Sequence, residues 1–246
     1  MLARSLDKAL RPTNDRTRLR LRSVFTPQPD TIDNAREPPV ETTGVRLRHQ
    51  YDLDNSWPGL AIMGRVIDPP DTARLRFRRL VPSDVDRLDE LDGEPDVMRY
   101  LTGGVPTTPR RQAAILARIL DEYDRDVAGR WLAHDAGTGQ FVGWFGLDSD
   151  TSPPDERELG YRLRSAAWGR GLATEGARAL LEFGFGELGL RRIWAQTMAV
   201  NTRSRRVLSK AGLQHVRTLH PHFDEPIPGS EQGEVEYEIH RTDRPR

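Results

Sequence analysis

The stretch best suited to chemistry in this 246-residue chain is Trp168-Gly169-Arg170-Gly171-Leu172-Ala173-Thr174-Glu175. Its two glycines let the backbone take positive φ and approach a ligand closely. A helical pattern begins at once behind them. The unpaired N–H groups and positive dipole end of such a helix favour an anion, so the turn is a candidate phosphate cradle. Glycines in a strand–helix turn also serve sterics alone, and the turn by itself leaves both readings open. No Gly-Lys-Ser/Thr follows, which excludes a P-loop. The third glycine and the downstream acid of a dinucleotide-binding turn are missing too. His215, His220 and His222, near Asp224 and Glu225, invite a metal. Pro221 and Phe223 interrupt them, and the expectation is a polar loop with no metal.

Composition bounds the function class. Lys+Arg and Asp+Glu both total 37, a formal net charge of zero. That balance argues against a dedicated nucleic-acid binder, which carries a basic surplus. The absence of cysteine excludes disulfides, Cys-type zinc sites, Fe–S clusters and a thiol nucleophile. No stretch approaches the roughly 18 apolar residues of a membrane span. No apolar run follows the charged N-terminal residues, so the expected address is cytoplasmic. Residues 1–70 hold eight of the 18 prolines and no sustained period. They are expected to form a disordered or loosely ordered extension. Arg16, Arg18, Arg20 and Arg22 offer the alternative of a basic strip for phosphates or a partner.

The elements that must position the glycine turn lie after Arg74. Arg74–Leu80 alternates as a strand. Ser83 and Asp86 resemble a capping box for a short helix to about Leu91. Thr108-Pro109 starts a helix through Tyr123. Trp131–His134 and Phe141–Leu147 read as a hairpin turned at Ala136-Gly137-Thr138-Gly139. Glu158–Leu163 reads as the strand entering the glycine turn. Ala173, Ala177, Leu180, Leu181, Gly184 and Leu188 mark one apolar helix face, ending at Gly189. Ile193–Met198, Val216–Leu219 and Val235–Ile239 read as strands, with a helix over Asn201–Ala211. The pattern predicts an α/β (α+β) domain, a mixed sheet with helices packed on it.

Trp168 to Ala173 resembles the Gln/Arg-x-x-Gly-x-Gly/Ala signature of the GNAT family of N-acetyltransferases, with Trp168 in place of Gln or Arg. Gly160-Tyr161-Arg162-Leu163, Trp168–Glu175, and Asn201, Ser204, Val207, Leu208, Lys210 and Gly212 are together similar to the branch that acetylates the N-terminal alanine or serine of ribosomal proteins. The similarity covers about residues 72–242, which would be the N-acetyltransferase domain.

The resemblance implies a mostly antiparallel sheet with a splayed strand pair at the cofactor site. It implies acetyl-CoA as acyl donor and an amine as acceptor. The strand ending at Leu163 would pair with the pantetheine arm, and the amides from Gly169 through Leu172 and Ala173 to Thr174 would take the pyrophosphate. Trp168 would cover the cofactor mouth or fill an apolar ledge. Arg170 would meet a phosphate or stay solvated. Asn201 would hydrogen-bond the pantetheine, and a backbone N–H near Leu163 would hold the oxyanion. Glu158 is the candidate general base; a surface position beside Glu156 and Arg157 is the other reading. Ser204 is the candidate acid, or a helix serine bonded to the carbonyl four residues back. Leu208 stands where other branches carry a tyrosine acid. Acceptor-side lining would come from Met98–Val105, the loop after Leu147 and His220–Gly229. The acceptor would be a protein N-terminus or a small amine. A non-catalytic acyl-CoA-binding module is the alternative function, and nothing in the chain speaks to an oligomer.

Overall fold

The computed structural model describes residues 68–123, 129–149 and 153–243. The extension expected over 1–70 lies almost wholly outside them. Strand β1 (Leu75–Arg79) leads into α1 (Val85–Asp92), α2 (Pro95–Met98) and α3 (Pro109–Tyr123). The hairpin β2 (Gly129–Asp135) and β3 (Phe141–Asp148) precedes β4 (Glu156–Leu163) and α4 (Leu172–Gly186). Then follow β5 (Arg192–Met198), α5 (Thr202–Ala211), β6 (Gln214–Leu219) and β7 (Glu234–His240).

Among the described residues seven strands form one sheet in the order β1-β2-β3-β4-β5-β7-β6. Every neighbouring pair is antiparallel except β4 with β5. The mixed, mostly antiparallel sheet is the one expected. Both faces are covered. On one, Phe145, Leu159, Tyr161, Leu180 and Phe183 pack under α4, with Leu208 of α5. On the other, Leu88 of α1 and Ile115 and Ile119 of α3 pack on Leu132 and Trp144. Helix α4 comes unusually close: a Cβ at Gly176 would stand 2.3 Å from the Phe145 ring. Only glycine lets the helix sit there.

Central strand β4 is buried along its whole length although it carries Glu156, Arg157, Glu158 and Arg162. Such charges persist inside only when paired. Arg162 bonds Asp92 of α1, and Arg130 of β2 bonds Asp148 of β3. Both guanidinium groups lie over the Trp144 ring, at 5.5 and 4.3 Å from its centroid.

The start of α1 departs from the expected box. No side chain caps α1 itself; Asp84, not Ser83 with Asp86, closes the single 3-10 turn Pro82–Asp84 that leads into it, its Oδ2 accepting the Val81 N–H at 2.8 Å. Asp84 is fully buried and takes two bonds from Arg78 and one from Arg87. A short-range pattern could not show this, because Arg78 approaches from the preceding strand. Burial pushes the Asp84 carboxyl up, and the Arg78 and Val81 hydrogen bonds more than reverse this, holding it below its usual range. We expect Asp84→Ala to cost about 2–3 kcal/mol, since it orphans the Val81 amide and strips two arginines of their partner. A urea midpoint shift at unchanged slope measures this. A carboxyl with a depressed folded value contributes fully above its unfolded value and loses that contribution as pH falls. The gap between wild type and Asp84→Ala therefore closes below about pH 4.

Candidate functional site

The pairing of β4 with β5 stops early. Register pairs join Glu156 to Arg192, Arg157 to Ile193 and Glu158 to Trp194, and none follows. Beyond Glu158, β4 stays on β3 while β5 stays on β7. A wedge opens between them. Which groups face it follows from the ladder. The Arg164 N–H donates to Val142 O at 2.9 Å, so Gly143 and Leu163 are a non-hydrogen-bonded pair of the antiparallel ladder. The N–H and C=O of Leu163 and, two residues earlier, of Tyr161 thus point away from β3 into the wedge.

The wedge ends at the glycine turn. Gly169 and Gly171 take φ of 76° and 81°. Gly171 is the N-cap of α4 and no side chain caps that end, which leaves first-turn amides directed at the wedge mouth. A Cβ at Gly169 would meet nothing within 4 Å. This geometry fits a pyrophosphate. Trp168 does more than fill a ledge: its indole N–H donates to the Leu163 carbonyl at 2.9 Å, and Arg203 of α5 lies 5.2 Å over its ring. Arg170 turns to Asp135 of the β2–β3 hairpin at 2.9 Å.

Two pins that no sequence motif announces hold the turn. On one side Arg74 bonds Glu175 of the first α4 turn through Nε at 2.7 Å and Nη2 at 2.6 Å, and donates to the Arg170 carbonyl at 2.8 Å. Thr72 donates to the same carboxylate. Burial pushes the Glu175 carboxyl up; the bonds from Thr72 and Arg74 outweigh it and hold it below the usual range. On the other side Glu94 accepts the Ser165 N–H at 2.9 Å. Arg74→Ala is expected to weaken acetyl-CoA binding about three- to tenfold while costing under about 1 kcal/mol of stability, since the pair is half exposed. Calorimetry and thermal melting on one preparation separate the two effects.

Asn201 caps α5: its Oδ1 accepts the Ser204 N–H at 3.2 Å, and its amide donates to Thr197 Oγ1 at 3.1 Å. Ser204 is 3% exposed. Its hydroxyl bonds Tyr161 Oη of β4 at 3.0 Å rather than a carbonyl one turn back. Sequence reasoning quoted Tyr161 only as part of a motif. Its phenol, pushed well above the usual range by burial and only partly restored by Ser204, stays neutral. Leu208 is fully buried in the core.

Glu158 is 6% exposed, which sets aside the surface reading. It closes the wedge at its apex, opposite Asp148 in the β3–β4 register. By strand alternation it shares the α1/α3 face with Arg162, whereas Tyr161 and Ser204 lie on the α4/α5 face. The two candidate catalytic groups thus flank the wedge from opposite faces. Two expected acceptor-side segments meet: a Cβ at Gly103 would stand 3.3 Å from Ile227. Residues 150–152 of the third lie outside the described residues. His215 meets the Tyr237 ring edge-on, centroids 5.4 Å apart.

The family described as acetyltransferase (GNAT) domain matches residues 74–214. The chain belongs to the GNAT family. An FsC-acetyl coenzyme A-N(2)-transacetylase of Aspergillus fumigatus is 34% identical over 180 residues, covering 70% of this chain and 76% of that protein. A GNAT-family acetyltransferase from Bacillus anthracis superposes with a TM-score of 0.57 at 26% identity, covering 69% of this chain and 96% of that one. RimL, a ribosomal alpha-N-protein acetyltransferase in complex with coenzyme A, superposes at 0.61 and 16% identity, over 70% and 97%. This GNAT protein is an N-acetyltransferase with acetyl-CoA as its acyl donor. Among the described residues no helix is long and apolar enough to cross a membrane.

Proposed function

We propose that this N-acetyltransferase acetylates a primary amine, first of all the α-amine at a protein N-terminus such as that of a ribosomal protein, and that residues 72–242 are its working unit. The carrying observation is the wedge that opens after Glu158 and ends at the two left-handed glycines. From Glu158 to Leu163 is five residues, roughly 17 Å of extended strand, which suits a pantetheine arm running from the turn toward the apex. The amides from Gly169 to Thr174 hold the pyrophosphate, and the outward groups of Leu163 pair with the arm. Asn201 keeps α5 in place above it.

Glu158 takes a proton from the attacking amine. The Leu163 amide is too near the turn for the oxyanion; the Tyr161 N–H faces the wedge closer to Glu158 and receives the charge that develops on the carbonyl oxygen. The Ser204 hydroxyl, the candidate acid, donates a hydrogen bond to the sulfur as the C–S bond breaks and keeps its proton, since a thiol is the stronger acid. The three sequence motifs of the branch, Gly160–Leu163, Trp168–Glu175 and the one from Asn201 to Gly212, support a peptide α-amine. A small-molecule amine is the second reading; the Aspergillus fumigatus relative is named for N(2) transacetylation and not for a protein N-terminus. Thiol release over a panel of N-terminal peptides, polyamines and small α-amino compounds decides between them. Acetyl-CoA binding with no turnover on any acceptor would point to a binding module instead.

A further inference from the structure

We propose that Tyr161 is a positioning residue for departure of the thiol: its buried hydroxyl, 3.0 Å from Ser204 Oγ, turns the Ser204 proton toward the wedge. The inference rests on the reading of Ser204 given above. Ser204 lies in the first turn of α5, where a serine hydroxyl otherwise bonds a nearby carbonyl. Among the described residues Tyr161 is its hydrogen-bond partner. Tyr161 approaches from a different element, 43 residues away, and its position is fixed by packing against Phe145, ring centroids 5.9 Å apart.

Each hydroxyl has one proton, so the pair has two arrangements. In one, the phenol donates to Oγ and the Ser204 proton is free for the wedge. In the other, Ser204 donates to the phenol, whose own proton is left with the Ser204 carbonyl at the longer distance of 3.4 Å. Negative charge growing on a sulfur in the wedge favours the first. The chain Tyr161 to Ser204 to sulfur is then polarised in one direction, and each bond strengthens the next.

Neither hydroxyl gives up its proton. A thiol is a stronger acid than a phenol, with ordinary values of about 8.5 and about 10, and burial of Tyr161 widens that difference. The balance is therefore simple. The amine nitrogen bonds the carbonyl carbon, its surplus proton goes to Glu158, and the C–S electron pair leaves on sulfur. The pair stabilises that thiolate by hydrogen bonds, and the thiolate takes its proton from water after release.

Tyr161→Phe removes the hydroxyl and keeps the ring and the backbone N–H. It is tested with Ser204→Ala and the double variant, each checked for melting temperature and acetyl-CoA affinity. We expect Ser204→Ala to lower kcat about tenfold and Tyr161→Phe about fivefold, with KM for acetyl-CoA within twofold. The decisive readout is coupling. The double variant should be no slower than Ser204→Ala alone, because Tyr161 acts only through that hydroxyl. Multiplied losses, or an unchanged kcat in Tyr161→Phe, overturn the positioning role while leaving Ser204 in place. An unchanged kcat in Ser204→Ala overturns both. If Tyr161→Phe is too unstable to assay, Tyr161→Met replaces it: it removes the same hydroxyl at similar volume, and an unchanged kcat there overturns the positioning role.

Discussion

In Gly171→Val protein the affinity for acetyl-CoA is expected to fall about 100-fold, equivalent to about 2.7 kcal/mol. Two effects act at this position. Gly171 sits at φ 81°, where a β-branched residue is strained by about 1–3 kcal/mol. The new side chain also stands over the first-turn amides of α4, and a hydrogen bond from such an amide to an anion contributes about 1.5–3 kcal/mol. The first effect lowers stability and the second lowers affinity, so a matched control separates them. Gly189 has φ 68° and lies beyond the far end of α4. Gly189→Val carries comparable strain and should bind acetyl-CoA as wild type does. Equal affinities in the two variants, read by calorimetry, would remove the phosphate cradle.

Glu158→Gln is expected to lower kcat/KM by about 10²–10³, the usual contribution of a general base. The loss should be largest at low pH. There most of the amine is protonated, and a side chain that accepts the proton matters most. As pH rises the neutral amine becomes abundant and the variant recovers toward wild type. The substitution keeps shape, so acetyl-CoA affinity should barely move; melting is measured alongside, because Glu158 is a buried charge. A defect below threefold, under about 0.7 kcal/mol, or one that does not change with pH, would mean that Glu158 only seals the apex and that positioning of the two substrates carries the rate.

Local pattern revealed most of the frame. Alternation marked β1, turn signals on either side marked β3 and β4 as strands, and the helix face from Ala173 to Leu188 marked α4 within two residues of its end. The two glycines, whose positive φ the sequence suggested, both have it. What stayed hidden joins residues far apart. Arg74 and Glu175 are 101 positions apart, and Tyr161 and Ser204 are 43 apart. No period or spacing encodes such pairs; they exist because the sheet order brings β1 and β4 against the helices that follow β4 and β5. Short α2 was missed because four residues make no apolar period. The Ser83–Asp86 box is replaced by one two residues earlier, in which Asp84 takes the Val81 N–H and, from the preceding strand, the Arg78 guanidinium that no local pattern shows.

Three register pairs between β4 and β5 are all that join, edge to edge, the half-sheet β1–β4 to the half-sheet β5–β7–β6. Past Glu158 the ladder lacks a strand, and in the reading proposed above the acyl donor supplies it. Acetyl-CoA is thus a folding ligand as well as a reagent: at about 100 times its dissociation constant it adds roughly 2.7 kcal/mol to the native state. That is a sizeable part of what holds an ordinary domain together. The fraction of enzyme that opens and meets proteases is then expected to fall as acyl donor is added, and scarcity of the metabolite to shorten the life of the catalyst that consumes it.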